Sequence, residues 1–390
     1  MKRLFLTAAL ALVLAGAFAA ADEETEVYRQ IYQQADGISQ KYAAIVNLTG
    51  LNDPASAPVL ADALRDLLAT QRSYSSPSDQ EILGRAIRAL ASSLGTYKYR
   101  EAAPLLWSAV QNISDPLARS ESLMAIGAVR DLDYAERIAL LLRNLDIAPG
   151  SDRDADEKVA YGCIVALQKL KDARGYMAVF YATDAWYTQR TRQLAVTALP
   201  SITDDPSDSL AEIIRNETPE RKLLALKENS LSRAAADRKA ATALLALSVG
   251  LGYSPRNPAE KGAMGDLKKG ALRQLIALKG QGGAEAAKTE AQSYLAGYDD
   301  EEKLLALQAL GSNGSDEAAD QLRDIILALD KDVRSGISDE GRNRMAKAAI
   351  ENAGATKNKI VKLALLTVSS DDRWSNGVIL AAKNALKGID

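Results

Sequence analysis

The chain has 390 residues, a formal net charge of −3, one cysteine and no histidine. Without histidine, Ser-His and Cys-His nucleophile pairs and histidine-based zinc sites are ruled out, and a lone cysteine closes no internal disulfide. Charges of both signs are well mixed, unlike the concentrated basic face of a nucleic-acid binder.

The first segment reads "MKRLFLTAALALVLAGAFAAADEE". Lys2 and Arg3 precede an uncharged apolar run over 4–18, and small residues follow, with Ala17-Phe18-Ala19 and Ala19-Ala20-Ala21 as the two cleavage triplets. This is the pattern of a secretory signal peptide over 1–21. The run is shorter than the roughly 20 residues of a membrane span. No later segment is long and apolar enough to serve as one, so none is expected after the leader is removed. Its removal takes away both early cations and leaves a mildly acidic chain.

From there on, one template recurs. It appears as "KYAAIVNL" (Ala44), "AIRALASSL" (Ala89), "SLMAIGAV" (Ala125), "GCIVALQKL" (Ala166) and "AVTALPSI" (Ala198). It continues around Ala225, at "ALRQLIAL" (Gln274), "ALQALGSN" (Ala309), "AKAAIENA" (Ala349) and "AKNALKGI" (Ala385). Each copy places small and apolar residues at i, i+3, i+4 and i+7, one face of a helix. Taking those named residues as anchors, the mean interval is about 38 residues, within the ~20–50 expected of stacked supersecondary units.

A second helix follows each anchor. Six residues on stand Asp131, Asp172, Asp204 or Ser315, side chains that accept hydrogen bonds from the free N–H groups of a new helix. Apolar residues then recur at helical spacing, as Ile138 and Leu141, or Ala318, Leu322 and Ile325. Ten residues before an anchor the caps return as Asp79, Asp115, Asp156, Asp299 and Asp339, with Pro116 in the first turn after Asp115. One such pair cannot bury its own apolar face, so neighbours must stack. The expected architecture is all-α: an α-solenoid of nine to ten helix-turn-helix repeats over 22–390, least regular at 205–260.

With its Ala-Leu pairs, the Asp that follows them, and basic residues six before the anchor at Arg119, Arg192, Lys268 and Lys303, the chain resembles the bacterial HEAT-repeat proteins. The likeness is to those with HEAT-like repeats of the phycobilin lyase type, an armadillo-like helical architecture. The resemblance implies that these Asp and basic side chains tie adjacent repeats together. Tetratricopeptide repeats are the near alternative, but their strict 34-residue period is missing.

Three places are candidate sites. Cys163 sits three residues before its anchor, where other copies carry alanine or serine, and reads as a small buried hydrophobe. Asp152, Asp154 and Asp156 alternate like the start of a calcium loop, but Glu157 and Cys163 stand where that loop needs Gly and Glu. A helix cap is the better reading. The third is "GYMAVFYATDAWY", which crowds together Tyr176, Phe180, Tyr181, Trp186 and Tyr187. Gly175, Val179 and Ala182 are expected to face inward there. Phe180 falls outside that set, matching Ala139, Glu212 and Arg323 in other copies. Aromatic groups are enriched where interfaces draw their energy, so these five form the candidate partner-binding patch, with internal packing as the alternative.

The functional expectation is a non-catalytic, exported protein-binding scaffold of the cell envelope, periplasmic in a diderm bacterium and otherwise secreted. It needs no cofactor, metal or nucleic acid. An envelope polymer-binding or assembly component is the runner-up. An enzyme similar to HEAT-like lyases or hydroxylases is the rival from another class, opposed by the missing histidines and the export signal.

Overall fold

A computed structural model describes residues 23–279 and 281–389. The expected leader lies outside them. Among the described residues there are α-helices and short 3-10 turns but no strand. No helix there is long and apolar enough to cross a membrane. The chain divides into two compact units after Thr203.

The first unit runs through α1 (23–34), α2 (Ile38–Gly50), α3 (Ala57–Thr70), α4 (Pro77–Thr96) and α5 (Ala103–Asn112). It continues with α6 (Pro116–Val129), α7 (Ala135–Ile147), α8 (Arg153–Leu170), α9 (Tyr176–Ala182) and α10 (Gln189–Ile202). The even helices pack in succession, α2 on α4, α4 on α6, α6 on α8 and α8 on α10, while odd helices lie beside them. All five anchors of this unit fall on even helices. Small side chains there let backbones meet: a Cβ added to Gly127 of α6 would stand 2.6 Å from Ala166 Cα of α8.

Between an even helix and the next odd one the chain turns the same way twice. Arg130 and Lys171 take left-handed conformations with φ near 57° and 56°. Asp131 and Asp172 follow at once, each accepting from the backbone N–H two residues on. A 3-10 turn then opens α7 or α9. Asp115, Asp299 and Asp339 cap helices as expected, as does Ser315. At two places a neighbour takes over, Ser76 rather than Asp79 and Asp152 rather than Asp156, and before α11 it is Asp205, not Asp204, that accepts from Ser207 N.

The second unit comprises α11 (Ser207–Asn216), α12 (Pro219–Leu231), α13 (Ala236–Gly252), α14 (Pro258–Leu278) and α15 (Gly283–Ala296). Then come α16 (Asp300–Asn313), α17 (Asp316–Arg334), α18 (Glu340–Thr356), α19 (Lys362–Ser369) and α20 (Asn376–Leu386). Even helices again pack in order from α12 to α20, and odd helices from α11 to α19. The stretch 205–260 holds α11, α12 and α13 and the start of α14.

What shifted there is the register. Pro219 opens α12 as Pro116 opens α6. Three residues later, Lys222 Nζ donates to Ile214 O at 2.5 Å and to Arg215 O, as Arg119 Nε donates to Val110 O at 2.8 Å. Both cations thus bind the carbonyl end of the preceding odd helix, where backbone dipoles leave negative charge. That equivalence moves the anchor from Ala225 to Glu228, followed by Asn229. Glu228 and Asn229 are polar, so apolar spacing does not mark this anchor.

Candidate functional site

The aromatic cluster is inside the first unit. Phe180 is fully buried, and Tyr176, Tyr181 and Tyr187 nearly so. Trp186 is partly buried and donates its Nε1–H to Leu145 O at 2.8 Å. The expectation that Phe180 points away from the core is therefore overturned. Counted from the capping Asp172, Phe180 stands eight residues on, as Ala139 does from Asp131, and both are buried. That position lies on the flank of an odd helix, which neighbouring elements cover although the helix's own apolar stripe does not include it. The four buried rings offer no open surface to a partner. Burial also pushes the Tyr187 hydroxyl pKa upward.

Cys163 is fully buried on α8, and burial pushes its thiol far above the usual range. It stays protonated and unreactive at neutral pH. The three alternating aspartates are each committed: Asp152 to Ala155 N, Asp154 to Lys158, and Asp156 to Gly150 N. Among the described residues no three acidic or cysteine side chains are grouped to hold a metal.

An open groove lies earlier in the same unit. Helices α3 and α5 pack together, as do α7 and α9, but α5 and α7 barely touch. Trp107 of α5 and Tyr134, just before α7, meet with ring centroids 5.8 Å apart, and Tyr134 stands where the turn before α9 has Gly175. The helices part around them and leave a groove of about 440 Å³. Trp107 and Val110 line it from α5, Arg119 from α6, and Arg137, Leu140 and Leu141 from α7.

Leu140 is 62% exposed. The Arg137 guanidinium lies 5.4 Å above the Tyr134 ring, and farther along α7 the Arg143 guanidinium covers Tyr181 at 3.6 Å. Neither arginine is held by a carboxylate among the described residues. The groove thus combines the apolar bodies of Trp107 and Leu140 with the guanidinium groups of Arg119 and Arg137, and aromatic and arginine side chains dominate binding energy at interfaces. Its lining has no thiol, hydroxyl or carboxylate, so it holds nothing that could act as nucleophile or general base.

The sequence reading missed this place because it took Ile138 and Leu141 of "DYAERIALLLRN" as the inward pair. Ile138 and Leu142 are the fully buried ones. Three successive leucines span more than one helix face, and that excess was the available signal. Comparison with protein-family models yields no match, and comparison with curated proteins yields none either.

Proposed function

We propose that this chain is a non-catalytic, exported scaffold of HEAT-like repeats, stacked as a solenoid, that binds a protein partner in the cell envelope. The carrying observation is the parting of α5 and α7, which leaves Trp107 and the exposed Leu140 beside Arg137. A partner segment with an apolar side chain flanked by carboxylates fits it: the apolar group enters between Trp107 and Leu140, and the acids meet Arg119 and Arg137. Repeat arrays bind through such surfaces without catalytic groups, and the leader pattern supplies the compartment.

The test places a photo-crosslinking residue at position 140 in the native host, with a second at Leu295, an exposed leucine of α15, as control. A discrete adduct from 140 alone, abolished by Arg137→Glu, is the expected result. No adduct, or the same adduct from both positions, overturns the reading. The mature amino terminus, read by mass spectrometry after cell fractionation, checks export separately.

A further inference from the structure

Helix α19 exposes positions that are buried in α7 and α9. Asn358 caps the turn before α19 as Asp131 and Asp172 cap those before α7 and α9. Four and eight residues after the cap, α7 has Ala135 and Ala139, and α9 has Tyr176 and Phe180. All four are buried, in two helices that pack on each other. The same positions in α19 are Lys362, exposed, and Leu366, 47% exposed against 8% for Ala139. Leu363 beside them is exposed too.

Helix α20 repeats the pattern. Two residues past the anchors of α6 and α16, Gly127 and Gly311 lie against the next even helix. The matching residue, Lys387 at the C-terminal cap of α20, is exposed, and the stripe of α20 below it runs back through Lys383 to Leu380, 58% exposed. This face is therefore apolar at Leu366 and Leu380 and positive at Lys362, Lys383 and Lys387.

At the other end of the described chain, α1 is buried along Thr25 and Tyr32, with the Tyr32 hydroxyl bound to Asp66 of α3 at 2.7 Å. Its opposite side carries Val27, 54% exposed, Ile31, 47% exposed, and the carboxylates of Glu23 and Glu24. One face is apolar and basic, the other apolar and acidic. We infer that a second copy of this chain docks its α1 ridge onto the α19–α20 face, head to tail, as the next helix of the stack. The two patches differ, so the contact is heterologous and propagates into chains or rings of molecules. It does not depend on the groove between α5 and α7.

The experiment is sedimentation of the full chain up to about 100 μM, enough to populate a micromolar complex, with circular dichroism to verify the fold. Concentration-dependent association that weakens in high salt, where exposed charges are screened, is expected. Val27→Asp with Ile31→Asp should leave monomers, and so should Leu366→Asp with Leu380→Asp. An equal mixture of those two variants should give dimers and nothing larger, because one intact ridge meets one intact face. If an apolar variant fails to fold, the charge swaps Glu23→Lys with Glu24→Lys, and Lys362→Glu with Lys383→Glu and Lys387→Glu, serve instead. Each alone should dissociate the chain, and mixing the two should restore association. A wild type monomeric throughout, association unaffected by either pair, or folded variants that stay monomeric when mixed would each overturn the inference.

Discussion

Asn229 Nδ2 donates to Gln274 Oε1 at 2.8 Å, joining α12 to α14 at the seam where other repeats place small or apolar side chains. The same Nδ2 donates to Lys239 O at 3.0 Å, and Gln274 Nε2 donates to Leu226 O at 2.6 Å. Asn229 is fully buried, so removing either amide strands its own partners, the other amide among them. Asn229→Ala and Gln274→Ala should each cost about 1–3 kcal/mol. Their combination should cost less than the sum, with a coupling of about 1 kcal/mol. Urea unfolding of the four chains measures this, and strict additivity would disprove the pairing.

Lys268 of α14 and Glu302 of α16 form an ion pair at 2.7 Å with both side chains buried. Glu302 also accepts from Ser293 Oγ and Tyr298 N, while Lys268 Nζ sits 3.6 Å above the Tyr298 ring. Cutting the pair leaves a buried charge without its counter-ion, so Lys268→Met alone should cost about 3–5 kcal/mol. Lys268→Met with Glu302→Leu should recover most of that, because both charges are then gone. A double variant no more stable than the single, by thermal denaturation, would contradict this account.

Glu290 of α15 is buried, and desolvation raises its pKa from 4.5 to about 7, while Asn313 Nδ2, donating to its Oε2, pulls the other way. As pH climbs past 4.5 the unfolded chain gives up this proton first, and the folded chain keeps it until about 7. This group's contribution is therefore intact below pH 4.5, is lost between 4.5 and 7, and is flat above. The loss is about 3 kcal/mol at one pKa unit per 1.36 kcal/mol. Glu290→Gln keeps an acceptor for Asn313 but has no proton to lose. Its advantage over wild type should widen from near zero at low pH to its full value above neutrality. A gap that does not change with pH would rule this out.

Gly127 and Gly262 should respond in opposite directions to alanine. Both lie within helices, where alanine is favoured by up to about 1 kcal/mol. At Gly262 nothing stands within 4 Å of the new Cβ, so that gain should appear as a higher melting temperature. At Gly127 the Cβ would meet the Ala166 backbone at 2.6 Å, forcing α6 from α8 at a cost of about 1–3 kcal/mol. Equal melting temperatures for the two variants would mean that the close approach is not used.

The helices and their alternation were legible because the cues are local. Spacing at i, i+3, i+4 and i+7 and a capping Asp depend on neighbours within a turn or two of chain, and they placed Ala125, Ala166 and Ala309 on even helices and Asp115 and Asp299 at helix starts. The leucine excess of α7 was local too, but not which leucine would stay outside. Tertiary structure alone decided that, along with the covering of Phe180's flank and the alignment of Asn229 with Gln274, 45 residues away. Periodicity tells which side of a helix is apolar. Burial depends on what arrives from elsewhere to cover each side, and that is set by how closely neighbouring helices can approach.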